Sequence, residues 1–162
     1  MKKEAIMSIK ILVAFDDSEN AMRAVEHVGR FFNKDSQVTL FSVFQDTATL
    51  CDLHGPELTP YFHSQQTNFC TLEEKKKSQV EEAQKQAKAK LTDAGFTPEN
   101  VTMKSQVKKL GVARDIVREA ESGYDIIVMG RRGLSAIKEF FLGSISQKVL
   151  SQAKDISVLM VN

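Results

Sequence analysis

Ile9-Lys10-Ile11-Leu12-Val13-Ala14-Phe15, followed by Asp16-Asp17-Ser18, is the stretch whose reading decides the fold. Apart from Lys10 it is apolar without a break up to the aspartates. A strand with one wet face alternates apolar and polar residues. A continuous run belongs to a strand covered on both faces, as in a parallel sheet between layers of helices. The next segment has helical spacing: Ala21, Val25, Val28 and Phe32 make one core-facing stripe, and Ser18 stands where an N-cap is needed.

The alternation of strand and helix continues to the end of the chain. Strands are expected over Gln37 to Phe44, Val101 to Val107, Tyr124 to Met129 and Ile156 to Val161, with helices over about Val112 to Ser122 and Ser144 to Ala153. Another helix is expected to open at the capping box Thr71-Leu72-Glu73-Glu74 and to close at Gly95. On it, Glu73 with Lys77 and Glu81 with Lys85 stand four apart in the favourable order, contributing roughly 0.3–0.5 kcal/mol per exposed pair. Residues 45–70, with Gly55, Pro56 and Pro60 and no clear period, are expected to be a long variable loop with room for a short helix. Val101 to Val107 alternates and is expected at a sheet edge. The sum is one α/β domain over residues 1–162: an open five-stranded parallel sheet with helices on both faces. Right-handed crossovers permit the strand order 3-2-1-4-5. In that order a ligand cleft lies outside the C-terminal ends of strands one and four, where Asp16 and Gly130 stand.

With 162 residues, 42% hydrophobic and 27% charged, the chain has the composition of an ordinary globular domain. A net charge of +1 gives no electrostatic footprint for nucleic acid or an anionic membrane, and no apolar stretch approaches spanning length. The N-terminal apolar stretch contains Lys10 and runs into Asp16-Asp17 without a cleavage-type sequence, so it is not read as a signal peptide. Two cysteines, Cys51 and Cys70, are too few for a disulfide framework and fit a reducing cytoplasm. Cys51, His54, His63 and Cys70 supply four soft ligands, but only the first two are closely spaced, so no metal site is expected.

The apolar run ending at Met129 leads into Gly130-Arg131-Arg132-Gly133 and, after nine intervening residues, Gly143-Ser144-Ile145-Ser146. Glycines let a ligand lie against the backbone, and a helix opening at Ser144 offers N–H groups and the positive end of a dipole to an anion. No lysine stands between the last glycine and the serine, as a P-loop requires, and there is no G-x-G-x-x-G. Gly133-Leu134-Ser135 lacks the second glycine of a nucleophile elbow, and no histidine falls in either cleft loop. A phosphate cradle is therefore expected, without the apparatus of acyl transfer. On the residues alone Gly130 also serves as a turn, Gly143-Ser144 as a helix cap, Asp16 as a cap and Val43 as plain core.

The pattern Gly-x2-Gly-x9-Gly-Ser after a buried strand, together with Ile9 to Ser18, resembles the ATP-binding branch of the universal stress protein family, and the likeness runs to the final strand. It implies the order 3-2-1-4-5 of the adenine nucleotide alpha hydrolase-like fold. It also implies an adenine pocket lined by Ala14, Phe15 and Val43, with Asp16 in contact with ribose or magnesium. By the same resemblance Met129, Gly130 and Gly133 would approach the nucleotide through backbone, Gly143, Ser144 and Ile145 would present N–H groups to the phosphates, and Ser144 and Ser146 would add hydroxyls. The ligands implied are ATP, or AMP or ADP, with Mg2+. The activity implied is a cytoplasmic, nucleotide-dependent regulatory role in stress response with a protein partner, and at most slow ATP hydrolysis. The apolar last strand, Ile156 to Val161, is expected at a sheet edge, where pairing with a second copy would make a homodimer. The alternatives are an ATPase or ATP-dependent transferase of the same fold, and a nucleotide-free dimeric scaffold.

Overall fold

In the computed structural model, which describes residues 8–55, 59–132 and 142–162, the deciding run forms strand β1 (Lys10–Ala14) at the centre of a parallel sheet. It pairs on one side with β2 (Gln37–Phe44), which carries β3 (Val101–Val107) at one edge. On the other side it pairs with β4 (Ile126–Gly130), which carries β5 (Ser157–Val161) at the opposite edge. The order is β3-β2-β1-β4-β5, as expected. Alternation along the central strands divides the core. Ile11, Val13, Val38 and Leu40 face helices α1 (Glu19–Phe31) and α3 (Pro60–Asp93), meeting Val25, Val28 and Leu91. Leu12, Phe41, Ile127 and Met129 face the other way, toward Ile116 and Val117 of α4 (Val112–Ala120) and Val149 of α5 (Ser144–Gln152). All of these are buried, which is why β1 shows no polar alternation.

The segment between β2 and β3 differs from the expectation in two ways. The helix begins at Pro60, eleven residues before the expected capping box. Thr59 Oγ1 accepts from Phe62 N–H at 3.3 Å and Pro60 occupies the first turn, where its missing N–H costs nothing. Thr71 is in mid-helix, its hydroxyl donating back to Thr67 O at 2.9 Å. The expected loop thus shrinks to a short connection containing the one-turn helix α2 (Ala48–Cys51). Second, Cys51 and Cys70 form a disulfide that fastens α2 to α3, with Cα atoms 6.0 Å apart. Closing a loop with a sequence separation of 19 contributes about 3 kcal/mol in the chain-entropy account. With both thiols joined to each other they are not zinc ligands, and no cluster of three metal-ligating side chains occurs among the described residues. On α3, Lys85 meets Glu82 at 3.6 Å rather than the expected Glu81.

Candidate functional site

The chain leaves β1 toward β2 and β3, and returns to β4 and β5 on the other side. The connections therefore diverge at the C-terminal ends of β1 and β4, where Ala14 and Met129 are register partners. A cavity of about 200 Å3 opens there. Ala14, Phe15, Phe41 and Val43 line it from the first two strands, Met129 from β4, and Val112 with Ile116 from α4. The polar side of the same cavity is made by Asp16, Gly130, Arg132, Gly143, Ser144 and Ser146, with Ile145 between the serines. Ten of the eleven residues singled out in the sequence thus line one space; Gly133 lies outside the described residues.

Several open choices resolve here. Ser18 is the cap of α1, its hydroxyl oxygen accepting from Ala21 N–H at 3.1 Å. Asp16 is not the cap: its Oδ1 accepts from Ser18 N–H at 3.0 Å, which fixes the carboxylate at the strand tip on the cavity wall. Val43 both packs against the α4 side of the core and lines the cavity. Gly130 has a packing reason to be glycine, because a Cβ there would lie 2.8 Å from backbone and side-chain atoms of Asn20. The start of α1 sits directly against the end of β4 and forms one wall of the cleft.

The first helical hydrogen bond of α5 runs from Gln147 N–H to Gly143 O at 2.9 Å. The amides of Ser144, Ile145 and Ser146 thus stand outside the helical ladder at the positive end of the helix. Gly143 lines the cavity, but its own N–H donates to Arg131 O at 3.0 Å. The buried Ser146 hydroxyl donates to Gly130 O at 3.1 Å, pinning α5 to β4. Of the two arginines, Arg132 lines the cavity, and Arg131 reaches Asn162 Oδ1 at 3.1 Å. The apolar wall is braced from behind: the Ser42 hydroxyl donates to Phe15 O at 2.7 Å and accepts from Gln84 Nε2 at 2.9 Å, both side chains being buried.

Sequence reading missed Phe41, Val112, Ile116, Ala21 and the bracing pair Ser42 and Gln84. Val112 and Ile116 were recoverable, since they stand four apart at the start of a helix packed beside the reversal point. Asp115, between them, is 2% exposed and accepts from Lys109 N–H at 2.8 Å and Leu110 N–H at 3.1 Å, so it shapes the turn that delivers Val112. The shifted ionisations fall outside the cavity lining. A hydrogen bond to Glu119 raises Lys104, and burial raises Tyr124.

Similarity to known proteins follows the same outline. The universal stress protein family matches residues 7–162. Universal stress protein YxiE of Bacillus subtilis is 30% identical, over 94% of this chain and 97% of its own. Universal stress protein MJ0577 of Methanocaldococcus jannaschii is 29% identical, over 92% of each chain. The solved structure of MJ0577 superposes with a TM-score of 0.64, covering 96% of both chains. A universal stress protein solved in complex with cAMP shares the fold at a TM-score of 0.62 and 19% identity, covering 95% of this chain and 97% of its own. With the family matched over residues 7–162 and the fold shared over nearly the full length, this chain belongs to the universal stress protein family.

Proposed function

We propose that the cleft binds an adenine nucleotide, ATP with Mg2+ or its products AMP and ADP, and that occupancy sets the protein's conformation for a protein partner in a stress response. One observation carries this reading: an apolar slot from Phe15 to Ile116 shares its cavity with Ser144, Ile145 and Ser146, whose amides stand outside the helical ladder. An aromatic base prefers the first surface and a phosphate the second. A cavity of about 200 Å3 holds a base-sized group and leaves the phosphates at the mouth beside Arg132. Asp16 is the one carboxylate among the described lining residues. Mg2+ is commonly held by one or two carboxylates with phosphate oxygens and water, so Asp16 suits an ion arriving with the nucleotide. The ion neutralises phosphate charge.

A ligand touching Asp16 after β1 and the amides of α5 ties the two sides of the reversal together, stabilising the closed arrangement by its differential affinity. Binding rather than turnover is the role proposed, because the described lining residues include no histidine and no second carboxylate to activate water. Denaturing the purified protein and weighing any released nucleotide tests the reading: an adenine nucleotide supports it, and failure to retain or rebind one removes it. Phosphate release well above once per minute favours the enzyme alternative, since typical enzymes turn over near 10 per second.

The second part of the proposal is a homodimer through β5 and its flank, Ile156 to Val161. β5 is an edge strand whose Val158, Leu159 and Met160 are only partly buried, and a two-fold copy would extend the sheet and cover them. No described helix is long and apolar enough to cross a membrane. The setting proposed is the cytoplasm, where disulfides are usually transient, and there the Cys51–Cys70 pair would be in redox exchange.

A further inference from the structure

α3 is far longer than the sheet it covers. Its 34 residues extend about 50 Å, whereas the eight residues of β2 span about 26 Å. The part that packs on the sheet is the C-terminal half, where Val80, Gln84, Ala87 and Leu91 are buried. In the overhanging half only Gln66 is buried, its amide donating to Leu50 O and Leu53 O at 2.5 and 2.9 Å. With the Cys51–Cys70 disulfide, this holds α2 against the overhang as one rigid arm.

The arm carries an unusual surface. Tyr61 is 75% exposed and Leu72 65%, with Phe62, Phe69, Leu50 and Leu53 at 37–45%. Residues 59–72 contain no Asp, Glu, Lys or Arg in a chain that is 27% charged. Depletion of charge together with exposed aromatics is the composition of an interface core. The pattern is also self-complementary. Tyr61 and Leu72 are eleven residues apart, just over three turns, and share a face, with Phe62 and Phe69 together along one side of it. In an antiparallel two-fold pairing centred between Gln66 and Thr67, Tyr61 meets Leu72 of the partner subunit, and the reverse. Glu73 and Glu74 then fall beside the N-terminus of the opposing helix, where its dipole favours negative charge. The exposed area of these six side chains is on the order of 500–600 Å2 per copy, so a pairing that covers the whole patch approaches the lower range of a specific interface, about 1,200 Å2.

We propose that this arm is a self-association surface at which two copies of the chain pair α3 against α3. It is separate from pairing at β5 and independent of the nucleotide reading. Two isologous contacts on one chain would build a tetramer of two dimers; the arm alone builds a dimer. The test is the sedimentation mass of the full chain at tens of micromolar, with Tyr61→Glu, Leu72→Lys and the double variant. All three change exposed helix positions, and far-UV circular dichroism checks that each stays folded. Each single variant is expected to have half the mass of the wild type, whether or not β5 also pairs. The double variant is expected to associate more strongly in low salt than either single variant, because the introduced charges face each other across the two-fold axis, and to lose that gain in high salt. Unchanged mass in the single variants overturns the proposal. So does a double variant that associates no more strongly in low salt than the single variants.

Discussion

Replacing Gly130 with alanine tests how the cleft is built, because the glycine is required by contact and not by an unusual backbone angle. The added Cβ would stand 2.8 Å from the carbonyl carbon, oxygen and Cβ of Asn20. Ordinary carbon contacts begin near 3.5 Å, so strand and helix must separate by roughly 0.7 Å. Neither side gives easily. Gly130 is held in register with Val161 and accepts from the Ser146 hydroxyl, and Asn20 lies in the first turn of α1 behind the Ser18 cap. Overpacking of this kind costs about 1–3 kcal/mol. For a chain of this size that lowers Tm by about 2–10 °C. The displacement is directed at the wall shared by Asp16 and the start of α5, so nucleotide affinity should fall with stability. Urea unfolding measures the first effect and calorimetric titration with ATP and magnesium the second. Wild-type stability and affinity in the Gly130→Ala protein would refute the packing argument.

Asp115→Ala leaves the amides of Lys109 and Leu110 without their buried acceptor and should cost about 2–3 kcal/mol in urea unfolding, with weaker nucleotide binding as Val112 shifts. Ser42→Ala removes the donor to Phe15 O and the acceptor of Gln84, and a loss of about 1 kcal/mol by the same assay is expected. Reducing the Cys51–Cys70 bond should speed amide hydrogen exchange in residues 48–55, which the Gln66 side chain also anchors, while leaving β1 and β4 protected. Alkaline titration should show a further loss. Lys104 and Tyr124 both have raised values in the folded state, so their contribution is full below the ordinary values near 10 and disappears as pH rises through the folded ones. Glu119→Gln should flatten that alkaline decline, read as thermal stability between about pH 9 and 11.

The sheet was legible because burial on both faces leaves an unmistakable trace: Ile11 to Phe15 and Ile127 to Met129 have no polar position to misread. The strand order was permitted by handedness, and with it came the position of the cleft and the two residues, Asp16 and Gly130, that mark its sides. The start of α3 was not legible from apolar period, since Tyr61, Phe62, Phe69 and Leu72 face away from the sheet and are exposed. The local signal was Thr59-Pro60, a cap followed by a proline at the first helical position. The disulfide could not be inferred from two cysteines 19 apart, because only the fold of α2 back on α3 brings their Cα atoms to 6.0 Å. Nor could sequence reveal that Asn20 crowds Gly130, or that the Ser146 hydroxyl is spent on Gly130 O and the Gly143 amide on Arg131 O. Those contacts join segments far apart in the chain.

The most direct measurement of the central claim is an isothermal titration of the nucleotide-stripped protein with ATP and magnesium, run beside Ser144→Pro. That substitution removes one cradle amide at the first helical position, where proline is tolerated and where Gly143, at φ -57 and ψ 149, already has the extended backbone that a following proline needs. A single saturable site in the parent chain, at least tenfold weaker in the variant, is the result predicted. No binding heat from a folded parent chain, or equal affinity in both proteins, would contradict an anion held by the amides of Ser144, Ile145 and Ser146.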